Sequence, residues 1–87
     1  LSEPQDLGIF IYPNPTDGIL NIDNLYNYGE SAMVRVLNSV GQVVAMHQIS
    51  DFSGTNSIDL SSLKNGIYMV EISSDRKMAV ERIVLNK

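Results

Sequence analysis

The sequence predicts an all-β domain folded as an antiparallel sandwich of about seven short strands. Apolar residues alternate with polar ones over short runs, and nowhere do they recur at helical spacing for more than about one turn. Turn signals separate these runs at intervals of roughly 8 to 12 residues. A chain of 87 residues without cysteine is long enough for one domain, whose core must hold the fold without disulfides.

The most strand-like run of the chain is predicted to be the central strand, residues 66–72. Before it, Asn65 and Gly66 tolerate the positive φ that a tight reversal needs. The run itself is rich in the β-branched and aromatic residues that fit a pleated, half-buried surface. Successive side chains of a strand point to opposite faces, so one alternate set must face the core. The side chains predicted to do so are those of Tyr68, Val70 and Ile72.

Six further strands are expected around this one. In chain order they are residues 8–12, 19–23, 31–37, 42–49, 57–60 and 78–85. Residues 1–7 mix proline, serine and acidic side chains and are predicted to be a linker from a preceding domain, with residues 8–87 as the folded domain. Because the chain begins at Leu1 and not at methionine, we expect it to be part of a longer protein.

A stiff corner follows the first predicted strand. Pro13 and Pro15 fix their own φ angles, and each restricts the residue before it to extended geometry. Asp17 and Gly18 then supply the reversal into the next strand. The sequence therefore predicts a rigid turn at this point.

The composition argues against several classes of function. The formal net charge is −4 and the six lysines and arginines are scattered, so we expect no binding of nucleic acid or of an anionic membrane. No apolar run approaches the ~20 residues that span a bilayer, so no membrane insertion is expected. The one histidine, His47, lies in a predicted strand with no cysteine to pair with. Aspartates lie at turns and strand ends, where they bond backbone N–H groups, and no loop crowds enough oxygen ligands for calcium. We expect no catalytic residues, no metal site and no cofactor.

Four aromatic side chains offer an alternative to a purely structural interpretation. They are Phe10, Tyr12, Tyr26 and Tyr28. Exposed rings on a sandwich can form a platform for a sugar. Since Phe10 and Tyr12 alternate in a strand, and the two later tyrosines are expected to cover one end of the sandwich, packing is the favoured interpretation.

Four motifs occur in order along almost the whole chain. They are Tyr12-Pro13-Asn14-Pro15 followed by Gly18, then Val36-Leu37-Asn38 with Gly41-Gln42-Val43-Val44, then Ile58-Asp59-Leu60-Ser61-Ser62-Leu63 with Gly66-Ile67-Tyr68, and finally Arg82-Ile83-Val84-Leu85-Asn86-Lys87. In this order and spacing, residues 9–87 resemble the C-terminal sorting domain of proteins exported by type IX secretion. The resemblance implies a seven-stranded Ig-like β-sandwich at the end of a larger secreted protein of a Gram-negative bacterium.

The resemblance also implies a route and partners. Such a domain reaches the periplasm by means of an ordinary signal peptide. An outer-membrane translocon then recognises it and passes the covalently attached cargo to the cell surface or the medium. In many members a sortase cuts the linker before the domain and attaches the cargo to surface lipopolysaccharide, and here that cut is expected in or before residues 1–8. The family often has lysine where this chain has Arg82, which keeps the charge but changes the geometry of the donor.

Two sets of residues are the candidate sorting residues. The first, with a structural or recognition role, is Pro13, Asn14, Pro15, Gly18, Gly41, Gly66 and Tyr68. The second, expected to dock on the translocon, is Arg82, Ile83, Val84, Leu85 and Lys87. With Arg76 and Lys77, four of the six basic residues lie at or near the last strand, although a solvated edge strand guarded by charge explains them equally well. The alternative function is a non-catalytic Ig-like or fibronectin-like module that binds carbohydrate or protein.

Overall fold

The computed structural model describes residues 9–23, 25 and 28–87, and it contains the seven predicted strands. They are β1 (Phe10–Tyr12), β2 (Ile19–Asp23), β3 (Ala32–Leu37), β4 (Val43–Ile49), β5 (Asn56–Asp59), β6 (Gly66–Ser73) and β7 (Met78–Leu85). Their bounds agree with the predicted ones to within about two residues, the usual uncertainty of a strand end. The predicted linker, residues 1–7, lies outside the described residues.

The strands form two antiparallel sheets. The smaller sheet has the order β1-β2-β5 and the larger one the order β4-β3-β6-β7. Strand β6 pairs along its whole length with β7 and along five residues with β3. The prediction that β6 is a central strand is therefore confirmed, and β7 is the edge strand beside it.

The core comes from alternate residues of the strands. In β6 the side chains of Tyr68, Val70 and Ile72 are buried, as predicted, whereas Ile67 and Met69 are exposed. The other buried apolar residues are Leu20, Ile22, Leu25, Tyr28, Ala32, Val34, Val36, Ile49, Ile58, Leu60, Ile83 and Leu85. Full burial of a large aliphatic side chain contributes about 1.5 to 3 kcal/mol, so these contacts are the main force that holds the two sheets together.

Side chains close the two hairpins of the larger sheet. In the β3–β4 turn, Asn38 Oδ1 accepts hydrogen bonds from the N–H groups of Val40 and Gln42, at 3.1 and 2.9 Å. Gly41, in the same turn, has a φ of +87°, a conformation that favours glycine. In the β6–β7 turn, the Ser74 hydroxyl accepts from two successive backbone N–H groups. The turns predicted between these strands are thus held by local polar contacts.

Gly18→Ala is expected to lower the free energy of unfolding by about 1 to 3 kcal/mol, the usual cost of holding a side chain in a strained backbone conformation. Gly18 is buried with a φ of +150°, and an added Cβ would lie 3.4 Å from the Cβ of Ser61. Gly54→Ala is the matched control, because a Cβ added there would meet no atom within 4 Å apart from those of its chain neighbours. Thermal unfolding of both variants checks the prediction, which equal melting temperatures would contradict.

Candidate functional site

The Pro-Asn-Pro corner lies against the outer edge of β7. After β1 the chain leaves the smaller sheet, and Thr16 forms a parallel bridge with Leu85. Two backbone hydrogen bonds hold this bridge. The N–H of Thr16 donates to the Val84 carbonyl oxygen, and the N–H of Asn86 donates to the Thr16 carbonyl oxygen, both at 2.8 Å. The corner therefore connects an edge of the smaller sheet to an edge of the larger one.

Asn14 extends this contact with its side chain. Its Nδ2 donates to the Arg82 carbonyl oxygen at 2.9 Å, and the N–H of Val84 donates to its Oδ1 at 3.0 Å. The peptide bonds before Pro13 and Pro15, on either side of Asn14, are both cis. The amide thus makes the two bonds that a neighbouring strand would make, and it covers backbone groups that β7 would otherwise expose at its edge.

Thr16 is the buried polar residue of the corner, with 1% of its surface exposed. Its Oγ1 donates to the Ile19 carbonyl oxygen at 2.6 Å and accepts from the N–H of Gly18 at 3.1 Å. This hydroxyl closes the reversal expected at Asp17 and Gly18. Thr16 is not among the residues that the sequence predicts as important. The one signal is its place directly after the second proline, which does not distinguish a buried hydroxyl from an exposed one.

The candidate docking residues of β7 divide between the core and the surface. The side chains of Ile83 and Leu85 are buried. They are therefore out of reach of a partner while the domain is folded. Arg82 is exposed and Val84 half-buried, and both alternate with the buried pair, so they point to the outer face of the larger sheet. Of the candidate docking residues in this strand, Arg82 and Val84 are therefore the two that a partner can contact in the folded domain.

Lys87 is held against the loop that precedes β6. Its Nζ donates to the carbonyl oxygens of Ser61 and Leu63, at 3.0 and 2.6 Å, and its N–H donates to Asn65 Oδ1 at 2.9 Å. The basic residues of the β6–β7 turn lie at the other end of the eight-residue strand β7, roughly 25 Å away. The basic residues near the C-terminus therefore do not form one patch.

Gly66 and Tyr68 shape the entry into β6. The Tyr68 hydroxyl donates to the Lys64 carbonyl oxygen at 2.6 Å, and its ring is buried. Gly66 has a φ of +159°, at the extended limit of the positive range. The Tyr68 hydroxyl therefore stabilises the turn predicted before the central strand, whereas Gly66 is already nearly extended.

The four aromatic side chains do not form one platform. Tyr28 is 5% exposed and belongs to the core, and this burial raises the pKa of its hydroxyl. Phe10 and Tyr12 are 57% and 40% exposed on the outer face of the smaller sheet, so the expectation that they pack is wrong. Tyr26 lies outside the described residues. Of the three rings that the structure describes, those of Phe10 and Tyr12 are therefore available to a partner.

Polar groups surround the exposed Tyr12. Its hydroxyl donates to Asp23 Oδ2 at 2.7 Å, which raises the pKa of Tyr12. Hydrogen bonds from the side chains of Thr55 and Tyr12 lower the pKa of Asp23. Beside them, the Ser57 hydroxyl donates to Asn21 Oδ1 at 2.7 Å. The outer face of the smaller sheet thus combines aromatic rings with hydroxyl, amide and carboxylate groups.

The carboxylates of Asp51 and Asp59 make local hydrogen bonds. Oδ1 of Asp51 and of Asp59 accepts from the hydroxyl and the N–H of the serine two residues later, and these bonds lower the pKa of both carboxyls. His47 is exposed on the edge strand β4. Among the residues that the structure describes, no three His, Cys, Asp or Glu side chains are grouped so as to hold a metal ion. No helix within the same residues is long and apolar enough to cross a membrane.

Comparison with known proteins identifies both fold and family. The family described as the secretion system C-terminal sorting domain matches residues 10–86. No curated protein matches the chain. Among solved structures, the crystal structure of a DUF3244 family protein with an immunoglobulin-like β-sandwich fold, from Bacteroides vulgatus, matches with a TM-score of 0.74. It is 16% identical, and the match covers 91% of this chain and 85% of that chain. At this identity, the likeness shows the fold alone.

The fold is therefore that of an Ig-like β-sandwich, and the architecture predicted from the sequence is confirmed. The chain belongs to the family of C-terminal sorting domains of type IX secretion, as its four motifs indicate. Membership implies that the domain is part of a larger cargo protein, secreted or displayed at the cell surface, which the type IX system handles. Family and fold together favour a non-enzymatic module.

Proposed function

We propose that this domain is the export signal of its cargo, recognised in folded form by the outer-membrane translocon after signal-peptide export to the periplasm. The observation that carries the proposal is the family match over residues 10–86. The closed sandwich supports it, because a signal that follows different cargoes has to fold on its own. Here the two sheets share one core, and the corner binds the C-terminal strand to the rest of the domain.

We further propose that the cargo is cut from the domain after export. A cell-surface sortase cuts in or before residues 1–8 and attaches the cargo to lipopolysaccharide. The proline, serine and acidic residues of this stretch support the proposal, because such a composition is typical of the linkers in which domain boundaries fall. These residues precede the described part of the chain.

The test is a fusion of a signal peptide, a fluorescent reporter and residues 1–87 in a strain with a working type IX apparatus. We expect the reporter at the cell surface or in the medium of that strain, and in the periplasm of an isogenic translocon mutant. In a sortase mutant, the exported reporter should retain the domain and should not be attached to lipopolysaccharide. A reporter that stays in the periplasm of the working strain, although the domain is folded, would contradict the export role.

A sugar-binding module is the second candidate, and the exposure of Phe10 and Tyr12 is the observation that favours it. Two rings on one face, with Asp23 and Asn21 beside them, provide the stacking surfaces and polar groups that a sugar requires. A glycan array probed with the purified chain and with its Tyr12→Ala variant decides this question. Binding that the substitution abolishes, together with a fusion retained in the periplasm, would favour the binding module.

A further inference from the structure

The outer face of the larger sheet carries all four methionines of the chain. Directly opposed residues of neighbouring strands point to the same face of a sheet. In this way Met33 and Met78 both oppose Ser73, Met46 opposes Arg35, and Met69 opposes Arg82. We call this surface, formed by the outward side chains of β3, β4, β6 and β7, the methionine face.

The methionine face is apolar and exposed. Met46, Met69 and Met78 are 54%, 37% and 65% exposed, and the exposed side chains of Val43 and Val80 extend the surface to both edge strands. Large apolar patches on folded proteins mark interaction sites. Methionine is unbranched and polarisable, so a surface that is rich in it adapts to the shape of a partner. These properties point to a docking surface.

The methionine face carries three charged side chains, those of Arg35, Glu71 and Arg82. Near its centre, Arg35 and Glu71 form a salt bridge of 2.9 Å across β3 and β6. Arg82 is the remaining charged side chain of this face and has no salt-bridge partner among the described residues. A partner that covers the face must therefore match one uncompensated positive charge, and a carboxylate does so.

The edge of β7 offers no simple alternative for docking beside Arg82. Asn14 and Thr16 already bond the backbone there, at the Arg82 carbonyl and at both polar groups of Val84. An added strand would first have to displace the corner from this edge. The C-terminal part of β7 is thus presented through its outward side chains, which belong to the methionine face.

We propose that the methionine face is the surface on which a protein of the exporter docks, and that this protein presents an apolar surface with a carboxylate placed against Arg82. This inference rests on the proposed export function. A second copy of the chain fits less well, because the one acidic side chain of the face, Glu71, is already bonded to Arg35. An anionic lipid surface fits less well too, because the chain has a net charge of −4.

The test compares export of the reporter fusion carrying Met46→Lys, Met69→Lys or Arg82→Glu with export of the unsubstituted fusion. Each change should lower the exported fraction at least about tenfold, because it places an unmatched charge in the docking surface. Arg82→Lys keeps the positive charge and should retain most of the export. Val40→Lys, in the β3–β4 turn, and Ile19→Lys, on the smaller sheet, place the same charge at exposed apolar positions away from this face and should leave export unchanged.

Two further measurements make the outcome decisive. Thermal unfolding of the purified chains must show that Met46→Lys, on the edge strand, melts close to the parent. A photo-crosslinking amino acid at position 46 should form an adduct with an outer-membrane protein that is missing from the translocon mutant. An adduct with a second copy of the chain, or flotation with phosphatidylglycerol vesicles that Met46→Lys abolishes, would overturn the proposal. Normal export of the folded variants would also overturn the proposal. If the unsubstituted fusion itself were not exported, the export function would be refuted.

Discussion

Removal of residues 83–87 is expected to unfold the domain and to abolish export of a fused cargo. The deletion takes away Ile83 and Leu85, which are 0% and 1% exposed. Loss of one such side chain costs about 2 to 5 kcal/mol, and the net stability of a small domain is about 5 to 15 kcal/mol. The deletion also removes the backbone of Val84 and Asn86, to which Thr16 binds. Together these losses match or exceed the stability that a domain of this size has available.

The measurement is the exported fraction of the truncated fusion, with the circular dichroism of the purified truncated chain beside it. Lys87→Ala is the matched control at the same end of the chain. It removes the exposed hydrogen bonds of the ammonium group to two carbonyls, worth up to about 1 kcal/mol, and should leave folding intact. A loss of export in this folded variant would therefore assign Lys87 a docking role of its own. Normal export of the truncated fusion would contradict the prediction and show that residues 83–87 are dispensable.

Leu85→Ala separates the need for a fold from the need for a surface. The variant loses buried contacts but keeps the outward side chains of β7, including Arg82. If the translocon requires a folded domain, export of this variant falls in step with its stability. If the translocon instead recognised the side chains of β7 in an unfolded chain, export would persist after the fold is lost.

The strands of this domain are predictable because alternation along a strand is a local property. In β6, apolar side chains face the core at every second position, and one charged residue, Glu71, identifies the opposite face. Strand β1 lacks such a contrast, since both of its faces are apolar. Its register with β2, in which Ile11 opposes the buried Ile22, turns Ile11 inward and Phe10 and Tyr12 outward. For a strand that is apolar on both faces, only its pairing with a neighbouring strand determines which face points into the core.

The contacts of the corner are not predictable from the sequence because they join residues far apart in the chain. The side chain of Asn14 forms hydrogen bonds with the backbone of Arg82 and Val84, which lie 68 and 70 positions further along the chain. Proline and asparagine rules describe the local backbone, and they do not say which sheet edge the amide will meet. Lys77 and Lys87 are close in sequence, but they flank opposite ends of β7. An extended strand rises about 3.3 Å per residue, so it keeps them far apart.

Thr16→Val is expected to lower the free energy of unfolding by about 2 to 3 kcal/mol, because valine keeps the shape of threonine but loses its hydroxyl. The Ile19 carbonyl loses its donor, and the N–H of buried Gly18 loses its acceptor. At about 4 to 8 °C for each kcal/mol in a domain of this size, the melting temperature should fall by roughly 10 to 20 °C. Thermal unfolding of the purified chain measures the change.

Thr16→Ser is the matched control, because it keeps the hydroxyl and loses one methyl group, at a cost of about 1 kcal/mol. If the hydroxyl stabilises the reversal into β2, the valine variant is the less stable of the two, although it retains the apolar contacts that serine lacks. Equal melting temperatures for the valine variant and the parent would show that the stability of the reversal does not depend on this hydroxyl. Export should follow the same order, because the corner joins the C-terminal strand to the smaller sheet and neither substitution alters an outer face.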